Sequence, residues 1–197
     1  DNAVQYYDLF QQKKEAKLHD LRIATIFTFG TNEDSEEAQD FIPADVEYDL
    51  AAEPAIPYGS KHSRDKLETY IGHYNQMYDG SFTTKDSKLF EFYFKDISRR
   101  LKEREKENFN DAKDRLDIVI VVNMMLTGFD AKKVNTLYVD KNLKQHGLIQ
   151  AYSRTNRILG EQKSQGNILA FRNLKKATDE AITLFSNKDA IDVVTLP

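Results

Sequence analysis

The sequence predicts an α/β domain with a mainly parallel sheet between helices. Three observations carry this. Leu116–Val122 is aliphatic at every position but Asp117, the pattern of a strand buried on both faces, as in a parallel sheet. Leu21–Phe29 (L-R-I-A-T-I-F-T-F) is rich in β-branched and aromatic residues and reads as a second strand. Around these runs, apolar residues recur at three- and four-residue spacing, so strands alternate with helices.

In chain order, Asn2–Lys17 is expected to be an amphipathic helix through Ala3, Tyr6, Tyr7, Phe10 and Lys14, broken at His19-Asp20. Gly30-Thr31-Asn32 ends the first strand. Glu33–Glu53 carries nine acidic residues and, with Pro43, Pro54 and Pro57 as punctuation, reads as an exposed loop or insertion spanning 31–59. Ser63–Asp79 is expected to be helical, with Ser63 opening an incomplete capping box because Lys66 stands at its third position. Its stripe is Leu67, Tyr70, Ile71, Tyr74 and Met77 or Tyr78, and Gly80 is the expected stop.

Ser87–Glu107 reads as a second long helix with Leu89, Phe90, Tyr93, Phe94, Ile97 and Leu101 on its buried face, and Arg99–Glu107 as a solvated charged end. Leu116–Val122 and Thr136–Val139 are strands. A polar link, Asp140–Gly147, leads into a helix carrying Gln150, Arg154 and Arg157, at i, i+4 and i+7 on one face. Leu148, Ala151, Tyr152, Thr155 and Ile158 form its buried stripe. After a Gly160–Ser164 turn come a strand, Gln165–Phe171, and a helix, Leu174–Phe185, with Leu174, Ala177, Ala181, Leu184 and Phe185 on one side. Residues 1–186 form the expected domain and 187–197 a tail.

Composition narrows the function classes. Zero cysteines exclude disulfides and thiolate metal sites, and His19, His62, His73 and His146 lack metal-ligand spacing, so no metal site is expected. No run approaches the ~18 apolar residues of a membrane span. The chain does not begin with Met, so Asp1 reads as the start of a fragment. Net charge is −4, yet residues 113–176 hold 12 Lys+Arg against 5 Asp+Glu, while residues 1–112 hold 15 against 23. A local basic surface suits phosphates of nucleotide or nucleic acid, although a plain solvated surface has the same composition.

The basic region contains the residues best suited to chemistry. Two arginines and an amide, Arg154, Arg157 and Gln150, on one helix face form a planar donor fork for phosphate oxygens. The loop Met124–Ala131 follows a buried strand directly, and ligands of parallel α/β sheets sit beyond the carboxyl ends of strands.

T-G-F-D at Thr127–Asp130, followed by Q-A-Y-S-R-T-N-R at Gln150–Arg157, resembles motifs V and VI of superfamily 2 helicases and translocases. V-N-M-M-L-T-G-F-D-A, L-Y-V-D-K-N-L, G-L-I-Q-A-Y-S-R-T-N-R and G-N-I-L-A-F-R-N-L-K-K-A-T-D-E-A-I-T-L-F together resemble HsdR, the motor and nuclease (R) subunit of type I restriction–modification enzymes. The upstream S-R-D-K-L-E-T-Y-I-G-H-Y-N-Q-M-Y is similar as well, and Leu21–Phe29 would be motif IV. Ser153 stands where many helicases have Gly, in agreement with the R subunit.

The resemblance implies a RecA-like three-layer fold: the second motor domain of a subunit that translocates duplex DNA before cleavage. It implies that Arg157 is the arginine finger, that Arg154 shares phosphate contact or couples domains, and that Gln150 orients Arg154 or senses nucleotide. Gly128 would allow close backbone approach, and Asp130 would bind ribose or an arginine. Asn123, Thr127 and, less directly, Thr28 would touch the DNA backbone. Each also has an ordinary alternative: exposed amide, turn glycine, local cap or salt-bridged surface arginine.

ATP and Mg2+ are implied for the full-length subunit and none for this chain alone, because no glycine here is followed by Lys and the phosphate-binding loop is missing. The implied partners are the first RecA-like domain and the nuclease domain of the same subunit, the modification and specificity subunits, and DNA, with no membrane. The implied location is bacterial or archaeal cytoplasm. The chain alone is expected to show no ATPase or nuclease activity. Two other readings stay open: another superfamily 2 helicase, and a non-catalytic α/β interaction module.

Overall fold

The computed structural model describes residues 2–27, 61–104, 111–122, 124–126 and 128–185. The chain divides into two compact units, Asp1–Gly128 and Phe129–Pro197. The expected acidic loop, the tail, and Thr28, Asn123 and Thr127 lie outside the described residues.

Unit 1 contains α1 (Asn2–Glu15), β1 (Ile23–Phe27), α2 (Lys61–Tyr78), α3 (Ser87–Lys102), a 3-10 turn (Ala112–Asp114) and β2 (Ile118–Val122). β1 and β2 pair in parallel, from Ile23 beside Ile118 to Phe27 beside Val122. All five β1 residues are buried, and the Tyr93 hydroxyl of α3 donates to the Thr25 carbonyl at 2.8 Å. β2 departs from the expectation of a strand buried on both faces, since its five residues are only half-buried. Its pairing among the described residues is with β1 alone, and α2 packs on β1.

Helix ends also differ. α1 stops at Glu15 rather than Lys17, because Lys17 turns left-handed (φ 56°) and the Leu18 N–H reaches back to the Lys13 carbonyl at 3.0 Å. Ser63 lies inside α2 rather than capping it. Asp79 (φ 52°), not Gly80, supplies the left-handed residue after α2, and the Gly80 N–H bonds the Asn75 carbonyl at 3.1 Å. The α2 stripe is otherwise as expected, with Leu67, Tyr70, Ile71 and Tyr74 buried.

Arg100, expected on a solvated end, is 9% exposed. Its Nε donates to Asp96 Oδ2 at 2.8 Å and to the Tyr74 hydroxyl at 3.1 Å, Nη1 donates to the Asp114 carbonyl at 3.1 Å, and the guanidinium lies 3.7 Å from the centre of the Tyr78 ring. Paired donors and an aromatic face make its burial tolerable.

Unit 2 contains β3 (Thr136–Val139), α4 (Gln145–Ser153), a 3-10 turn (Gly160–Gln162), β4 (Asn167–Ala170) and α5 (Lys175–Phe185). β3 and β4 are parallel, Thr136 beside Asn167 through Val139 beside Ala170. The core is Val139, Leu148, Leu174 and Ala181, with Leu137, Leu143, Ile149, Tyr152 and Ala177 packed around it. Leu184 and Phe185, expected on the buried side of α5, are exposed. One reason is the small size of this core, which α5 meets through Ala181 at its centre. Tyr138, Leu169 and Phe171 are exposed as well, with the Tyr138 and Phe171 rings stacked 6.3 Å apart.

Candidate functional site

The candidate residues within unit 2 come together where α4 ends. α4 runs only to Ser153, so Arg157 is not on a helix face with Gln150 and Arg154, and Ile158 is exposed rather than part of a buried stripe. Local side chains cause the early end. The Gln150 carbonyl accepts from Ser153 Oγ at 2.7 Å and from Arg154 Nε at 3.0 Å, while Thr155 Oγ1 donates to the Tyr152 carbonyl at 3.3 Å. Hydroxyls and a guanidinium thus satisfy carbonyls that later N–H groups would otherwise take. Thr155 is buried against Gly166, where a Cβ would stand 2.3 Å from the Thr155 carbonyl oxygen, so only glycine fits.

Beyond Arg154 the chain runs alongside the Gly-Phe-Asp loop. Arg154 Nη1 donates to the Phe129 carbonyl and Nη2 to Ser153 Oγ at 2.8 Å. Burial pushes the Arg154 pKa down, and neighbouring Arg157 adds to this, against the opposing pull of Asp130. Arg157 forms a two-point ion pair with Asp130: Nε to Oδ1 at 3.1 Å and Nη2 to Oδ2 at 2.8 Å. The side chains are 60% and 53% exposed, so the pair is worth only ~0–1 kcal/mol and can be exchanged for another anion. Arg157 Nη1 makes no hydrogen bond among the described residues, and neither does the Gln150 side-chain amide. Gly128 is left-handed (φ 61°), a conformation that side chains rarely tolerate, at the end of unit 1.

The matching family is described as Type I restriction enzyme subunit R domain 3, and it covers residues 1–173. The chain belongs to this R-subunit family. It is 41% identical over 193 residues, 98% of its length, to a type I restriction enzyme endonuclease subunit of Staphylococcus aureus strain COL. It is 42% identical over the same span to a corresponding subunit of Staphylococcus saprophyticus. It is 38% identical over 92 residues to the HindI endonuclease subunit of Haemophilus influenzae, 46% of this chain and 9% of that subunit. The chain spans 18% of the length of its Staphylococcus relatives.

Within this R-subunit domain, Asp130, Arg154 and Arg157 are brought together, while Gln150 presents its carbonyl to the cluster. Sequence reasoning missed Lys163. It is 7% exposed, and its ammonium donates to the Lys132 carbonyl at 3.0 Å and the Val134 carbonyl at 2.7 Å, with burial pushing its pKa down. A lysine in a polar turn reads as solvated in sequence, and nothing local marks its burial. No described helix is long and apolar enough to cross a membrane.

Proposed function

We propose that this chain is the second RecA-like motor domain of a type I restriction R subunit, supporting ATP-dependent translocation of duplex DNA before cleavage. The observation that supports this best is the Asp130–Arg157 pair, which joins residues 27 apart, one from each of the two helicase-like motifs. An exposed arginine with a donor edge still open, paired with Asp130, is equipped to meet a phosphate.

In this reading ATP supplies the γ-phosphoryl group on which charge develops. Arg157 neutralises that charge, with Asp130 holding the guanidinium plane until the phosphate competes for it. Gln150 offers an amide to the same region. No three His, Cys, Asp or Glu side chains converge among the described residues, and we assign no Mg2+ ligand to this chain. The phosphate-binding loop, the Mg2+ ligands and the nuclease centre are assigned to other domains of the subunit. Duplex DNA is contacted through its backbone by the basic 113–176 region, with Asn123 and Thr127 as candidate contacts there and Thr28 as a weaker one outside it, so binding is salt-sensitive and independent of sequence. Modification and specificity subunits complete the assembly in the cytoplasm.

The test is Arg157→Ala in the intact R subunit. ATP binding should stay near normal while turnover falls ~10³-fold, roughly 4 kcal/mol of barrier, because the guanidinium matters most when charge develops. Arg157→Lys should rescue little, since an ammonium lacks the planar fork. Steady-state ATP hydrolysis and triplex displacement read the outcome. Turnover within about threefold of wild type in a folded variant overturns the proposal.

A further inference from the structure

Three cross-links tie residues 129–134 to residues 154–163, and they fall in the same order along both segments. Arg154 holds the Phe129 carbonyl, Arg157 holds the Asp130 carboxylate, and Lys163 holds the Lys132 and Val134 carbonyls. The alignment then continues into the sheet, where the Asn167 N–H donates to the Asn135 carbonyl at 2.8 Å just before β3 and β4 pair. The middle link is exposed and weak. The outer two are buried or half-buried and go to backbone carbonyls, which have no alternative rotamer.

The two ends are anchored locally as well. Residues 131–134 form a turn closed by the Val134 N–H on the Ala131 carbonyl at 3.1 Å, and this turn presents its carbonyls to Lys163. Lys163 is itself fixed by a two-residue bridge with Leu159, through N–H···O contacts of 2.9 and 3.3 Å. Burying an ammonium with carbonyls alone as partners is costly unless its hydrogen bonds are held in place. Both of the Lys163 side-chain bonds go to the loop.

We infer that Lys163 is a positioning residue for the motor reaction: together with Arg154 it clamps residues 129–134 along the 154–163 segment, and so sets where Arg157 stands. This rests on the proposed role of Arg157. Lys163 touches no substrate and acts only through the segment it fixes, and a misplacement of about 1 Å at a reacting group can cost ~10²-fold in rate.

The experiment uses the complete R subunit assembled with its partner subunits. DNA-dependent ATP hydrolysis is measured for wild type, Lys163→Met, Arg157→Ala and the double variant. Methionine keeps the apolar stem and removes the donors. Lys163→Met should lower kcat about 10- to 100-fold with KM changed less than about threefold, and should cost no more than about twofold on the Arg157→Ala background. An equal loss on both backgrounds would mean a general structural role and overturns the inference, as does kcat within twofold of wild type.

Hydrogen exchange gives a readout independent of turnover. Lys163→Met should speed exchange of amides in 129–134 and 154–158 about tenfold or more while sparing those of β3 and β4. Unchanged exchange there overturns the clamp. If Arg157→Ala leaves turnover intact while exchange responds as expected, the motor reading fails and the clamp stands. Should Lys163→Met not fold, Lys163→Gln, which keeps a donor for one carbonyl, is measured by the same criteria.

Discussion

The two units hold their functional backbone by different means. In unit 1 the reference element is β1, buried along its whole length, with α2 packed on it and the Tyr93 hydroxyl bonded to its Thr25 carbonyl. Its polar groups are drawn into that core, as with Arg100, Asp96 and Tyr74. In unit 2 the buried cluster between the helices and strands has four members among the described residues, and the segment that matters is held by cations on backbone carbonyls. Packing supplies a rigid element where there is enough apolar surface. Where there is not, directional bonds fix the chain, and they fix it at chosen atoms.

The largest effect that would sharpen this contrast is in unit 1. Asp96→Ala removes the carboxylate partner of the buried Arg100 and the acceptor of the Tyr74 hydroxyl at 2.7 Å, and should destabilise by about 3–5 kcal/mol. Urea unfolding monitored by tyrosine fluorescence reads this, and a loss below about 1 kcal/mol would show that the ion pair is dispensable.

Next comes a matched pair. Leu67 in α2 and Leu148 in α4 are both 0% exposed. Leu67→Ala should cost about 4 kcal/mol, since α2 packs on the fully buried strand β1 and has little room to close the gap. Leu148→Ala should cost about 2–3 kcal/mol, because half-buried Leu137, Ile149 and Tyr152 can relax into it. Equal losses would break the comparison.

The smallest effect concerns acid. Burial pushes the Glu68 carboxyl up, but bonds from the Thr83 hydroxyl and from the Thr84 hydroxyl and N–H outweigh it, so its pKa lies below 4.5. Asp8 and Asp96 are likewise lowered below 3.8: burial raises each, and bonds from Tyr70 and Lys66, or from Tyr74 and Arg100, prevail. A carboxyl with a lowered folded pKa stabilises above its unfolded value, and that stability is lost as pH falls through the folded value. Unit 1 should therefore weaken progressively below about pH 4.5. Glu68→Gln should cost about 1–2 kcal/mol at pH 7 and less at pH 3.5, as thermal unfolding across pH will show. A cost independent of pH would mean that the charge is not what holds the Thr83–Thr84 loop.

Periodicity and composition determined most elements. The stripes of α2 and α3 and the short strand Thr136–Val139 were legible because each depends on a local pattern, whereas the parallel pairing of β1 with β2 was expected from a two-face burial that half-buried β2 does not show. That the Thr127–Asp130 and Gln150–Arg157 segments work together was legible only as a resemblance, and only the fold set Asp130 against Arg157. Three features were decided by tertiary structure. α4 stops at Ser153 because Ser153, Arg154 and Thr155 turn onto carbonyls and Gly166 packs on Thr155, a contact between residues 11 apart. Arg100 is buried because Tyr74 of α2 and the Asp114 carbonyl join Asp96, one turn back on its own helix, in binding it. Lys163 becomes a clamp because the turn at 131–134 offers it two carbonyls. Each feature adds to its local bonds a partner from elsewhere in the chain, Gly166, Tyr74 or the 131–134 carbonyls, and hydrophobic spacing carries no record of where such groups meet.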